Sequence, residues 1–208
     1  MRLVAESFAW PFRGKLTTWI WGCACVLFLP LLFIPLLGYA LVATRSAALY
    51  PDLPPPPWRI SLPLIATGLL MSIVVIVTVL PFALALNPLA TAIGDSAYSH
   101  VIAFFVLLFL WGLLALLLLP HATSTYATTG VYTDLFDVTA ALRGVRRDFA
   151  TWNLVVAAIV TAWAIGIACA GVLCVGIVPG VFYAILVSAH AAAALHHPIA
   201  TNPGSPAR

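Results

Sequence analysis

Charged residues are scarce in this chain. Asp, Glu, Lys and Arg make up 7% of its 208 residues, whereas soluble domains carry about 25%. Hydrophobic residues make up 63%, and the mean hydropathy is +1.12. A soluble fold with so few charges would aggregate, so the composition indicates a protein of the lipid bilayer. The net charge of +3 is small and spread along the chain, which argues against a nucleic-acid partner and suits lipid head groups.

Side chains for acid–base catalysis are equally scarce. Glu6 is the single glutamate, and the five aspartates fall in predicted loops or in one polar helix. The sequence contains no zinc-protease, nucleophile-elbow, phosphate-loop or dinucleotide-binding motif. Charged residues inside the apolar runs, which mark many transport pathways, are missing as well. We therefore expect no catalytic residues and no enzymatic activity.

Cysteine is present four times, but never in a pattern that forms a site. No C-x-x-C motif occurs, and the thiols of Cys23 and Cys25 point to different faces of a helix. We interpret all four as small packing residues without a bound metal. They all lie within apolar runs, at Cys23, Cys25, Cys169 and Cys174.

The long apolar runs predict an all-α fold, a polytopic helical membrane bundle with four full spans. Residues 61–86 and 101–119 each suit one span. Proline interrupts a helix, so we expect these spans to stop at Pro88 and Pro120. Residues 121–129, rich in Ser and Thr, are then predicted to be a linker.

The last apolar run, residues 153–195, is too long for one span. It is predicted to form a tight helical hairpin, with Pro179 in the first turn of the second helix. Residues 1–198 would form a single integral-membrane domain, and residues 199–208 a polar C-terminal tail. Small residues recur every four positions in both helices and would let their backbones approach closely. These residues are Ala158, Ala162, Gly166, Ala170 and Cys174 in the first helix and Gly176, Gly180, Ala184, Ser188 and Ala192 in the second.

The first apolar segment, residues 16–43, is broken by Pro30 and Pro35. As a straight helix it would be about 42 Å long, compared with about 30 Å for the hydrocarbon core. It therefore either kinks and crosses, or re-enters and leaves on the same side. Re-entry would put every Lys and Arg on one side of the membrane, which the positive-inside rule favours. We expect re-entry, with both termini cytoplasmic.

Two polar connections are predicted between the spans. Residues 50–59 contain four successive prolines, which favour an extended loop. Residues 131–149 show apolar positions at steps of three and four, with Asp134 and Asp137 at the start and arginines near the end. This pattern predicts an amphipathic helix, either lying at the membrane interface or packed on the bundle as a connector.

Histidine is the remaining candidate for site chemistry. His190 lies within the last apolar run, among alanines. Its imidazole can make a hydrogen bond to a neighbouring helix, which is the simpler interpretation. Alternatively it could ligate a haem or chlorophyll-type pigment, since the alanines would leave room for a flat macrocycle.

The first hundred residues also resemble a known family. The residues that carry the resemblance are Phe8, Pro11, Phe12, Trp19, Gly38, Tyr39, Arg45, Leu53, Pro54, Trp58 and Gly68. Together they are similar to the N-terminal pattern of the domain-of-unknown-function family numbered four thousand and thirteen. Arg59, Ile60 and Ser61 stand where such proteins usually carry acidic residues. The resemblance implies a multi-pass protein of a prokaryotic inner membrane, and implies no activity.

Two classes of function follow from these observations. The first is a structural or accessory subunit of a larger membrane assembly, with lipids and other membrane subunits as partners. The alternative is a small-molecule role, either as a cofactor carrier through His190 or as a small transporter or lipid-binding protein.

Overall fold

The computed structural model describes residues 2–94, 96, 98–171 and 176–196, and no strand occurs among them. Their α-helices are α1 (Arg2–Ala9), α2 (Leu16–Leu27), α3 (Leu29–Leu49), α4 (Leu62–Ile93), α5 (Ser99–Thr129), α6 (Val138–Arg147), α7 (Phe149–Ala168) and α8 (Ile177–Ala193). By length and composition α3, α4, α5 and α7 could each cross a membrane, whereas α2 and α8 are apolar but shorter. The predicted all-α, multi-pass architecture is confirmed. The set of long helices differs from the four predicted spans, because α8 is shorter than expected and α3 of the first segment is long enough to cross. The predicted tail lies outside the described residues.

The first apolar segment folds back on itself. Trp19 of α2 and Tyr39 of α3 both pack against Phe182 of α8, with ring centroids 5.6 and 6.1 Å away. A straight helix would separate Trp19 from Tyr39 by about 30 Å, so α2 and α3 run in opposite directions. The indole N–H of Trp10, before α2, donates to the carbonyl oxygen of Leu53, after α3, at 2.8 Å. Both ends of the segment therefore lie on the same side of the bundle, as re-entry predicts.

The turn between α2 and α3 begins at Phe28 and includes a second non-helical residue, Leu32, three positions before Pro35. The Phe28 N–H donates to the Ala24 carbonyl oxygen at 3.0 Å, and its own carbonyl oxygen accepts the Leu32 N–H at 2.9 Å. A turn surrounded by hydrocarbon needs its backbone groups satisfied in this way. Pro30 lies in the first turn of α3, where proline is tolerated, and Pro35 lies inside the helix. The two helices have 12 and 21 residues, so the segment is not divided into equal halves.

The proline-rich connection is an extended loop, as predicted, and it packs on α3. The Tyr39 hydroxyl donates to the Pro56 carbonyl oxygen at 2.9 Å. Its ring stacks on Trp58, with centroids 4.1 Å apart and planes 7° from parallel. A polyproline stretch has no internal hydrogen bonds, so Tyr39 and Trp10 supply donors to loop carbonyls that the loop cannot satisfy itself.

The predicted ends of the second and third spans are wrong. Helix α4 continues through Pro88 to Ile93, and α5 continues through Pro120 to Thr129. Proline interrupts a helix less readily in a membrane bundle, because neighbouring helices and hydroxyl side chains compensate for the lost hydrogen bond. Helix α5 ends only at Gly130, whose positive φ of 71° is readily adopted by glycine.

The predicted linker, residues 121–129, is therefore helical. Its hydroxyl groups bond back to carbonyl oxygens of the same helix instead of breaking it. The Thr125 hydroxyl donates to the His121 carbonyl oxygen at 2.9 Å, and the Thr129 hydroxyl donates to that of Thr125 at 3.0 Å. Such back-bonding is the usual state of Ser and Thr inside helices that lie in apolar surroundings.

The predicted amphipathic helix is present but shorter, because two aspartates each start a helix. The Asp137 carboxylate accepts the Ala140 N–H at 2.8 Å and starts α6. The Asp148 carboxylate accepts the Thr151 N–H at 3.2 Å and starts α7, earlier than predicted. Helix α6 buries Ala141 on the side that packs against α5 and leaves its three arginines exposed. It is thus a connector that packs on the bundle.

One end of the bundle, here called the basic end, carries the described basic side chains. Arg13 and Lys15 precede α2, and Arg45 is near the end of α3. Helices α3 and α4 are antiparallel, because Gly38 contacts Leu64 and Gly68 contacts Ile34. Arg59, which precedes α4, is therefore at the same end as Arg45. Helix α6 and the end of α8 lie at this end too. The turns at the other end, after α4 and after α7, contain no Lys or Arg in the sequence.

Candidate functional site

An apolar cavity of about 680 Å³ lies between α5 and α7. Helices α5 and α7 form its walls, and α3 and α8 form its floor; we call it the cleft. Residues from α5 and α7 include Trp111, Gly112, Ala115, Leu116, Ile159, Val160, Trp163 and Ile167. Residues from α3 and α8 include Leu37, Leu41, Thr44, Ile185, Ser188, Ala189 and Ala192. The cleft thus draws its lining from helices far apart in the sequence.

Small residues create the space. Gly112 and Ala115 interrupt the leucine-rich sequence of α5, and Ala164 does the same in α7. A Cβ atom added at Gly112 would meet no atom within 4 Å. Helix α5 packs on α3, α4 and α8, and α7 packs on α8, but α5 and α7 have little direct contact. The walls therefore diverge above the floor.

The cleft opens to the outer surface of the bundle. Val160, Trp163 and Ile167 line it and are also 48%, 37% and 60% exposed. In a membrane, this surface of α7 faces lipid chains. A molecule dissolved in the bilayer could therefore enter between α5 and α7 without passing through water.

Hydroxyl groups are the main polar feature of the lining, which contains no charged residue. The Thr44 hydroxyl donates to the Ala40 carbonyl oxygen at 2.9 Å, and the Thr123 hydroxyl donates to that of Leu119 at 2.7 Å. The Ser188 Oγ is different, because it is buried and has no hydrogen-bond partner in the described part of the chain. A buried hydroxyl without a partner is unfavourable.

His190 is buried away from the cleft, in contact with the N-terminal segment. Its Nδ1 lies 2.9 Å from the Ser7 Oγ, and its ring centroid lies 5.1 Å from that of Trp10. Ser7 and Trp10 are completely buried, and His190 is 8% exposed. These contacts join α1 to α8. The hydrogen bond between Ser7 and His190 is the interhelical bond that the sequence predicted for His190. The contacts leave the imidazole enclosed by side chains rather than open to a flat macrocycle.

The small residues of the last two helices meet at the α7–α8 contact. Ala162 and Gly166 of α7 are buried there together with Gly180 and Ala184 of α8. A Cβ atom added at Gly166 would lie 2.6 Å from the Gly180 carbonyl oxygen, so the backbones touch. Gly176 is half-buried just before α8, and Ser188 belongs to the cleft. The side chain of Ala170 and all of Cys174 lie outside the described residues.

Sequence reasoning did not identify the cleft. Neither Trp111 nor Trp163 is marked in the sequence by any motif. One local signal was present, since Gly112 and Ala115 are small residues in a run of leucines and lie on one face of the helix. The facing helices could not be identified from it.

Comparison of the chain with protein-family models, with curated proteins and with solved structures finds no match. The chemistry of the cleft is therefore the basis for inferring function. Its lining has no titratable group that could serve as an acid, a base or a nucleophile. Its volume and apolar walls suit binding of an apolar molecule.

Proposed function

We propose that this integral membrane protein binds the apolar chain of a lipid or lipid-like molecule in the cleft. The observation that carries the proposal is the apolar cavity of about 680 Å³ between α5 and α7. Ligand sites in proteins commonly enclose about 300–1,000 Å³ and are mostly apolar. A prokaryotic inner membrane, with the basic end toward the cytoplasm, is the location that the positive charges and the family resemblance support.

Physical chemistry favours a chain over a compact polar ligand. A hydrocarbon chain gains little by leaving the bilayer interior, so its binding depends on close packing against the walls. Trp111, Trp163 and Leu116 offer such packing. A charged ligand would lose its hydration and find no opposite charge in the lining.

The test is whether one lipid molecule stays with the protein after the surrounding lipid is removed. The full chain is purified in mild detergent, delipidated, and examined by native mass spectrometry. We expect wild-type protein to retain one lipid-sized ligand. Gly112→Leu should lose it, because the new side chain extends into the open space of the cleft.

The matched control is Leu113→Phe, which adds bulk to a side chain that is 50% exposed and absent from the cleft lining. It should retain the ligand. Loss of the ligand in both variants, or in neither, would contradict binding in the cleft. A thermal unfolding curve for each variant shows whether it is folded.

A second candidate is an accessory subunit, and the first half of α5 favours it. From Val101 to Leu110, the side chains are exposed except for Ala103 and Leu107. Phe105 and Phe109 share one face of this helix and are 62% and 65% exposed. An exposed aromatic face of this kind suits a transmembrane helix of another protein.

Photocrosslinking in the native membrane tests this second candidate. A photoreactive residue is placed at Phe105 or Phe109, and at Ile165 as a control on α7. The accessory role requires the same discrete protein adduct from both α5 positions and none from Ile165. Adducts with lipid alone at all three positions would contradict it.

A further inference from the structure

Ser188 differs from the other hydroxyl residues of the cleft. Thr44 and Thr123 donate to carbonyl oxygens of their own helices, so the one hydrogen of each hydroxyl is already used. Ser188 lies in α8 on the floor of the cleft, and its Oγ is buried without a hydrogen-bond partner among the described residues. A buried polar atom in this state is best satisfied by a partner that is itself buried, and a molecule held in the cleft would be one.

The chemistry of the surroundings limits what that partner can be. No charged side chain lines the cleft, so a charged group beside Ser188 would be desolvated without compensation. A neutral group is therefore required. A hydroxyl donates one hydrogen, and a carbonyl oxygen accepts it without introducing a hydrogen of its own that would need an acceptor.

We propose that the cleft binds a neutral lipid whose chain carries a carbonyl group, and that the Ser188 hydroxyl donates a hydrogen bond to this carbonyl oxygen. An acyl ester and a lipid-soluble quinone share this chemistry. The apolar walls hold the chain, and Ser188 fixes its position along the cleft. This inference rests on the proposed function, since it names the class of ligand for the same site.

Two brominated probes that differ only in the ester test the inference. Methyl 9,10-dibromostearate has the carbonyl, and 9,10-dibromooctadecane does not. Bromine quenches tryptophan fluorescence, and Trp111 and Trp163 line the cleft. Each probe is titrated in excess into the full chain in detergent, where it competes for the cleft with any lipid that is still bound. The quenching that is lost in Trp111→Phe and Trp163→Phe is taken as the cleft signal.

We expect wild-type protein to bind the ester about two- to tenfold more tightly than the alkane, the range that one net hydrogen bond provides. Ser188→Ala should bring the ester to the affinity of the alkane, and Ser188→Thr should keep part of the preference. Gly112→Leu should abolish the cleft signal of both probes.

A short-chain benzoquinone, which also quenches tryptophan fluorescence, is the third probe. If its binding depends on Ser188 more strongly than that of the ester, the carbonyl recognised is that of a quinone.

The outcomes separate the two claims. If neither bromo probe nor the quinone gives a cleft signal in wild-type protein, the proposed function itself fails. If the probes bind equally well, and Ser188→Ala changes neither affinity, the cleft binds chains but the role of Ser188 is overturned. If a long-chain alcohol binds more tightly than the ester in wild-type protein and not in Ser188→Ala, the recognition of a carbonyl is overturned.

Discussion

The ring of Phe182 lies directly on the backbone of Gly22. A Cβ atom built at Gly22 would be 2.2 Å from the nearest ring carbons, so only glycine fits beneath the ring. Phe182 is completely buried, and it also contacts Trp19 and Tyr39. One side chain of α8 therefore contacts both helices of the first apolar segment.

This contact predicts that Gly22→Ala destabilises the protein. The added methyl group must displace a buried ring, and overpacking of this kind costs about 1–3 kcal/mol of unfolding free energy. The measurement is thermal or denaturant unfolding in detergent. Phe182→Leu in the same chain should recover part of the loss. Gly112→Ala is the control, because its methyl group meets no atom within 4 Å; equal losses in the two alanine variants would contradict the contact.

The fold of the first segment predicts its topology in the membrane. Lys15 precedes α2, Asp52 follows α3, and both are exposed. Single cysteines at these positions, in a chain without native cysteines, should react from the same side with a membrane-impermeant reagent. Ser96, in the turn after α4, should react from the opposite side. Labelling of Lys15→Cys and Asp52→Cys from different sides would show that the segment crosses.

The α7–α8 contact predicts a non-additive pair of substitutions. A Cβ atom at Gly166 would lie 2.6 Å from the Gly180 carbonyl oxygen, and one at Gly180 would lie 2.5 Å from that of Gly166. Each single alanine variant should lose about 1–3 kcal/mol of unfolding free energy, because the added methyl group forces the two helices apart. The double variant should lose less unfolding free energy than the sum of the two single losses, because one displacement of the helices makes room for both methyl groups. Gly171→Ala, with no atom of the described residues within 4 Å of its Cβ position, should unfold like wild type. Strict additivity would exclude a shared contact.

The start of α6 predicts a pH dependence. Hydrogen bonds from the Ala140 backbone N–H and the Thr139 hydroxyl lower the pKa of the Asp137 carboxyl below its usual value. A group with a lowered pKa stabilises the folded state above its unfolded pKa and loses that effect as the pH falls through the folded pKa. Hydrogen exchange of the α6 amides, corrected for the intrinsic rate, should therefore show progressively weaker protection as the pH falls below the ordinary aspartate pKa of about 4. Asp137→Asn, whose side chain still caps the helix without titrating, should lose this dependence; the same dependence in that variant would assign it to another group.

Hydropathy and proline spacing predicted the main features of the fold. The all-α multi-pass bundle and the extended loop follow from apolar runs and their interruptions, whereas the fold-back of residues 16–43 was predicted from the positions of Lys and Arg. These features depend on local composition and on the side of the membrane where arginine and lysine are stable. The helix ends were predicted wrongly at Pro88 and Pro120, because the effect of proline depends on neighbouring helices that local sequence does not reveal.

The candidate site could not be predicted in the same way. Its lining joins Leu37, Gly112, Trp163 and Ser188 from four helices, and the space between them depends on how those helices diverge. Periodicity identifies which face of a helix is small or apolar, but it does not identify the helix opposite. The same holds for Ser7 and His190, which are separated by 183 positions in the sequence.

The contacts of α1 and α2 with α8 have a consequence for synthesis of the protein. The partners of Ser7 and Gly22, namely His190 and Phe182, are made long after them; His190 follows Ser7 by 183 positions. At about 5–20 residues per second, translation leaves the N-terminal helices without these partners for roughly ten to forty seconds. During that interval the hairpin of α2 and α3 lacks its contacts with α8. Ribosome-bound chains that end before Phe182 should accordingly leave the hairpin accessible to insertion factors, and α2 packs against Phe182 only after α8 has been made.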